Sequence, residues 1–307
     1  MRLFRTKDQE RIGEMYVMIS VLLHAGFPIL INYATHFVPA IFYAGISAIV
    51  TAIMMFAILV YQKDLKEIFV KKAWFPISMV VIFVVVVPLA LIYSGTKMTS
   101  GINTSILLQA EIIFTLLFTW IAGEKITQRR LFGGLAVLCG TILVIYNGAL
   151  KLNVGDLLIV AATAFYPIGN IYAKKALKLV SPITILFLRS LFGGMALILI
   201  SLWLDGIIIG GIDLIQIMRD YWFIILLNGL LISGITKIIW YKGLKRLDLS
   251  KAIIMVMTFP AFSIILAGAF LKEIPTLYQV GGLVIIFAGL YSVMKHKAIP
   301  VGSIDGK

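Results

Sequence analysis

The stretch Tyr93–Glu124, YSGTKMTSGINTSILLQAEIIFTLLFTWIAGE, has a second version at Tyr241–Glu273, YKGLKRLDLSKAIIMVMTFPAFSIILAGAFLKE. Both begin Tyr-x-Gly, cross a polar turn, run through a long apolar segment and end in Glu. Each Glu is followed at the same interval by a glycine (Gly133, Gly282), and seven residues later by another (Gly140, Gly289). A long-period internal repeat constrains architecture before any local signal does, because each copy is one structural unit. The copies part at one position: where the second has Pro260, the first has Glu111, an acid in the middle of an apolar run.

The apolar runs decide the solvent. With 61% hydrophobic and 13% charged residues over 307 positions, the chain carries more apolar side chain than a soluble domain buries. Segments long enough to cross about 30 Å of hydrocarbon recur along its length. The predicted spans are 14–33, 39–61, 74–95, 101–122, 130–147, 155–173, 183–204, 221–241, 250–271 and 277–294. The connections are short, the longest being 205–220, and no soluble domain is appended. The N-terminal MRLFRTKDQER is too long and too acidic for a signal-peptide n-region, so residues 1–13 read as a retained cytoplasmic segment. Cys139, the single cysteine, lies inside a span and reads as a small core residue, and no intrachain disulfide can form.

The net charge of +13 reflects placement and does not point to nucleic acid. Of the 27 Lys and Arg residues, only Lys97, Lys151, Arg219 and Lys272 fall on one face of the span map, and Arg189 and Lys237 fall within spans. All the others fall on the opposite face, which predicts cytoplasmic N- and C-termini, the latter being the tail 295–307. The tryptophans Trp74, Trp120, Trp203, Trp222 and Trp240 all fall at predicted span ends, where an amphipathic ring prefers the interface.

Five spans per copy turn the second copy upside down relative to the first, and the flanking charges agree. The turn before the fourth span carries only Lys97, while its counterpart carries Lys242, Lys245, Arg246 and Lys251. After the span the asymmetry reverses, with Lys125, Arg129 and Arg130 against Lys272. Similar local sequence with opposite loop charge is the pattern of inverted-topology repeats. A fainter echo joins Phe27-Pro28-Ile29 to Tyr166-Pro167-Ile168. Both prolines remove a backbone donor and are expected to bend or break their helices, near a midplane binding site.

These residues resemble a known family. The Gly-Glu-Lys of Gly123–Lys125 with Gly133 and Gly140, and Lys272-Glu273 with Gly282, Gly289 and the mid-helix Pro260, are similar to the two repeats of EamA-type transporters of the drug/metabolite transporter superfamily. The resemblance spans roughly residues 14–294. It implies an all-α polytopic membrane protein of ten transmembrane helices in two inverted five-helix repeats, 14–147 and 155–294, around a central cavity lined by both. Glu111 departs from the pattern, since a proline is frequent there. The first half also lacks a counterpart of Arg189: aligning Pro39 with Pro182 places Ile46 at that position.

Charge buried in the spans narrows the site. Glu111 lies about ten residues from either end of its helix, roughly 15 Å deep at 1.5 Å per residue, where a charge costs about 3 kcal/mol on insertion scales. Helical spacing puts Thr104, Glu111, Thr115 and Thr119 on one face, with Asn103 and Gln109 at its edges, a stripe that faces a cavity or a polar partner. Glu111 is therefore a candidate to relay a proton, to bind a cationic part of the cargo, or to serve as a neutral acid bonding two helices. His24 lies at matching depth and reads as either a packing residue or a relay partner of Glu111. Arg189 either meets an anionic cargo or a carboxylate, or snorkels. Lys237, a turn from its predicted span end, reads as snorkelling. Tyr93, Tyr166, Tyr172, Asn170 and Asn228 complete the polar candidates for a small-molecule site. Gly133, Gly140, Gly282 and Gly289 read as packing residues.

The expected function is a secondary transporter in the cell membrane, an exporter of small metabolites such as amino acids or related compounds. It is expected to work by alternating access as a monomer among membrane lipids, with the proton as coupling ion. No nucleotide-binding motif, catalytic cluster, metal set or cofactor motif is present in the sequence, which speaks against an enzyme. Inverted halves with broken helices suit rocking better than a fixed pore. A lipid or lipid-linked sugar flippase is the alternative within the same fold.

Overall fold

With no water in the hydrocarbon, backbone groups must be satisfied within the chain, and helices do this segment by segment. In a computed structural model the protein is described over residues 7–121, 128–148, 153–204, 214–244, 246, 255–256 and 258–294, and the described secondary structure is entirely helical. The order is α1 (Lys7–Ala34), α2 (Ala40–Gln62), α3 (Lys71–Lys97), α4 (Gly101–Leu107, a tight turn Leu108–Ala110, then Glu111–Ile121) and α5 (Gln128–Tyr146). It continues with α6 (Val154–Ala176), α7 (Pro182–Leu204), α8 (Leu214–Leu226, a wide π turn Leu227–Ile235, then Thr236–Leu244), α9 (Phe259–Leu271) and α10 (Leu277–Met294). Seven of these, α1–α4 and α6–α8, are long and apolar enough to cross a membrane, and the described parts of α5, α9 and α10 are shorter apolar helices. Ile53, Phe132, Leu199 and Val284 are largely exposed, an apolar exterior suited to lipid.

Helices five places apart in the order pack in matching ways. The two most extensive pairings are α2 with α7 and α5 with α10. The last segment of α8 packs on α1 as the end of α3 packs on the first segment of α6. In the self-paired helices the backbones come close. A Cβ on Gly140 would lie 2.7 Å from the Gly282 carbonyl oxygen, and one on Gly282 would lie 2.8 Å from that of Gly140. Gly45 and Gly194 meet reciprocally in the same way, at 3.0 and 2.9 Å. Small residues allow this approach where no hydrophobic effect drives helices together.

Several sequence expectations change here. Pro167 does follow a break, opening the second segment of α6 after a turn at Ala164–Phe165. Pro28 does not break α1, which runs continuously through it. The connection 205–220 is partly helical: α8 begins at Leu214 and kinks at Tyr221, because Leu214, Ile217 and Tyr221 pack against the core. Trp222 consequently lies at this kink, inside the helix. Cys139 is exposed on α5, since that helix turns its interior face to α10 with Gly140.

Glu67, outside the spans in the α2–α3 connection, anchors the start of α7. Its Oε2 accepts from the Ser181 amide at 2.7 Å and from the Thr184 hydroxyl at 2.6 Å. Partial burial pushes the carboxyl pKa up, but the bonds from Ser181 and Thr184 outweigh it and hold the group below the ordinary glutamate range. A depressed carboxyl contributes stability above its unfolded pKa, and that stability is lost as pH falls through the folded value. Hydrogen exchange at the Ser181 and Thr184 amides is expected to accelerate on acidification through that window, and Glu67→Gln is expected to flatten the dependence.

Candidate functional site

The two ends of the bundle differ in charge. The end that joins α3 to α4, α5 to α6 and α9 to α10 is the charge-poor one, and a mesh of hydrogen bonds ties it together. Asp156, in the first turn of α6, accepts from Thr99 Oγ1 at 2.6 Å and from Asn103 Nδ2 at 3.1 Å. Asn103 in turn accepts from Gln279 Nε2 of α10 at 2.7 Å. Glu273, at the end of α9, takes the free amides of Gly101 and Ile102 at the start of α4, at 2.9 and 3.0 Å. Helix starts leave such donors orphaned, and a carboxylate there is held by charge-assisted bonds. Asn32 of α1 donates to the Thr96 and Thr99 carbonyls. Every residue of α4 from Gly101 to Leu107 is buried.

Below Leu107 the helix changes character. The tight turn Leu108–Ala110 interrupts α4, and from Leu108 to Phe118 only Ala110 is buried. Glu111 emerges from this turn half-buried, and its Oε1 accepts from Asn170 Nδ2 at 3.1 Å. Asn170 stands on the segment of α6 that follows the Pro167 break, and it is exposed. The bond from the exposed amide to this carboxylate joins α4 to α6.

Cations of other helices lie within electrostatic reach of this pair. Lys237 of α8 interacts electrostatically with Glu111 and with Arg189 of α7. Tyr166 feels both Glu111 and Arg189, and Arg189 also feels Tyr241. The Arg189 Nε is buried and has no hydrogen-bond partner. His24 does not bond Glu111. Its ring stacks on Phe27 at 5.3 Å and lies against Phe259 at 5.2 Å, its Nδ1 is buried without a partner, and Lys237 is its charged neighbour.

Glu111 and Asn170 are thus bonded, Tyr166 interacts electrostatically with Glu111 and with Arg189, His24 is tied to the group only through Lys237, and the other candidates lie elsewhere. Asn103 belongs to the mesh at the charge-poor end. Tyr93 and Asn228 are buried at 1% and 0% exposure and bond each other, Asn228 Nδ2 donating to the Tyr93 hydroxyl at 2.7 Å and to Ser47 at 3.1 Å. They join α3 to the π turn of α8. Gln109 is half-buried within the tight turn next to Glu111. Tyr172 packs edge-on against Phe75, with Lys175 over its ring. The side chain of Thr119 and the whole of Glu124 lie outside the described residues.

Sequence reasoning missed Asp156, Gln279 and the capping role of Glu273, all polar residues near span ends where polarity carries no signal. Lys237 stands about two turns before the end of α8 at Leu244. Among the described residues no three His, Cys, Asp or Glu side chains converge to hold a metal ion.

The EamA-like transporter family matches residues 11–146 and 153–295, twice over nearly the whole chain. The chain belongs to the EamA-like transporter family. It is similar to the uncharacterized transporter YoaV of Bacillus subtilis (strain 168), at 22% identity over 90% of this chain and 95% of the relative. An uncharacterized transporter of Archaeoglobus fulgidus is 24% identical over 71% of this chain and 75% of its own length. A solved crystal structure of 14% identity superposes with a TM-score of 0.64 over 92% of this chain and 97% of that one, a likeness of fold. This EamA-like protein is a multi-pass membrane protein of a transporter family.

Proposed function

We propose that the protein is a secondary transporter that exports small metabolites, such as amino acids or related compounds, across the cytoplasmic membrane by alternating access, with Glu111 carrying the coupling proton. Ten spans in two inverted halves, 14–147 and 155–294, face the cytoplasm with both termini, and a single chain suffices. The reading is carried by one observation: Glu111, deep in its helix, meets the exposed Asn170 in a space shared with Lys237. The matched packing of helices five places apart supports two related halves, as rocking requires. The tight charge-poor end and the looser lower half of α4 support a conformation open toward the charge-rich, cytoplasmic side.

The test is uptake of a labelled metabolite panel into proteoliposomes, with and without an imposed proton gradient. Saturable flux of at least one solute, enhanced by the gradient, is expected. Absence of flux for every solute under both conditions rejects the transporter reading, and flux indifferent to the gradient rejects the coupling.

A further inference from the structure

Around Glu111 the described cations outnumber the acids. Among the described residues around the Glu111–Asn170 pair, Arg189 and Lys237 bring two positive charges against the single carboxylate of Glu111. That carboxylate is engaged by the Asn170 amide, and among the described residues neither cation has a hydrogen bond or an ion pair with it. Arg189 keeps its Nε enclosed with no acceptor. An enclosed guanidinium donor without a partner is a standing cost in the empty protein, because its desolvation is not repaid. A donor held in reserve beside a second cation is arranged for an acceptor that comes from outside the chain. Guanidinium matches a planar carboxylate in a fork geometry that an ammonium alone does not offer. Tyr166 and Tyr241 flank Arg189. The apolar rings of Phe27 and Phe259 pack on either side of the His24 imidazole, which Lys237 reaches electrostatically.

We infer that the cargo of this transporter is a small organic anion, a carboxylate with an apolar body, whose anionic group sits between Arg189 and Lys237. The inference rests on the reading of this space as the transport site. One anion balances the surplus charge, satisfies the orphaned Arg189 donor and leaves the apolar body to the ring cluster. Arg189 has no counterpart in the first half, where Ile46 stands at the matching position, so the anion site belongs to one half only.

The experiment uses the full-length protein in lipid nanodiscs and reads the thermal unfolding midpoint against matched probes. These are 3-phenylpropionate, its amide and the corresponding amine, together with 4-methylpentanoate, its amide and its amine. A carboxylate of at least one series is expected to raise the midpoint saturably, with little effect from its amide or amine. Arg189→Gln is expected to weaken that carboxylate by about tenfold or more and Arg189→Lys by less, since the fork geometry alone is lost. Because Arg189 Nε has no partner to lose, the unliganded midpoint of Arg189→Gln should not fall; if that variant does not fold, Lys237→Gln serves in its place. The inference is overturned if neither carboxylate binds, if amides or amines bind equally well, or if both Arg189→Gln and Lys237→Gln bind like the wild type. Flux of neutral or cationic solutes in proteoliposomes, together with any of those outcomes, would reject the anion while leaving the transporter reading intact. Absence of all flux rejects the transporter reading itself.

Discussion

Glu111→Gln is expected to uncouple transport from the proton gradient without unfolding the protein. Glutamine keeps the shape of the side chain and its Oε1 still accepts from Asn170, so the bond between α4 and α6 survives. What it loses is the ability to gain and release a proton. A difference of one pH unit can drive accumulation by about tenfold per proton carried, the equivalent of about 1.4 kcal/mol. In the variant that factor should fall to one, while exchange of labelled for unlabelled solute across a membrane without a gradient persists. The groups that face Glu111, namely Lys237, Tyr166 and Asn170, are retained, which isolates the carboxyl. Accumulation ratios that stay at the wild-type level in proteoliposomes, with an unchanged unfolding midpoint, would remove Glu111 from the coupling role.

The second large effect concerns the charge-poor end. Asp156→Ala removes the acceptor of Thr99 and one partner of Asn103 at once. Hydrogen bonds to a charged group are worth about 1.5–3 kcal/mol each, so the loss of even one, about 2 kcal/mol, shifts an opening equilibrium by roughly thirtyfold. The reporter is Gln109→Cys in a Cys139→Ser background, since Gln109 lies just below the fully buried turns of α4. Labelling of that cysteine by a membrane-impermeant maleimide added outside cells should rise by about tenfold or more when Asp156 is removed. Glu273→Ala, which strips the cap from Gly101 and Ile102, should act in the same direction. A labelling rate that does not move in either folded variant would mean that the mesh does not close the path.

The class of protein was legible because it rests on signals that survive without contacts. Apolar length, a repeated stretch and the side on which lysines fall are properties of the chain alone, and most of the described helices begin and end within a few residues of the predicted spans. The exceptions are α1, which already starts at Lys7, α9, which is described from Phe259, and α8, which starts at Leu214 because Leu214 and Ile217 find a core to cover. That choice depends on which surface lies beneath. Glu111 stood out because a carboxylate at that depth is costly wherever it points, and so it could be found from position alone.

Partnership was not legible. By depth the sequence offered His24 as either a packing residue or a partner of Glu111, but depth says nothing of rotation about the helix axis, and it is Asn170, past the break before Pro167, that bonds the carboxylate. Tyr93 and Asn228 are distant in the chain and were read as facing cargo; they bond each other because the π turn of α8 lies against α3. By itself the sequence determined the solvent, the family and the one acid that breaks the repeat, because hydrophobic length, motif spacing and residue depth are properties of the chain alone. Only the tertiary structure decided that Lys237 comes within electrostatic reach of that acid and of Arg189, and that Asp156 bonds Asn103 and Glu273 caps α4 at one end, because those relations follow from how helices rotate and cross.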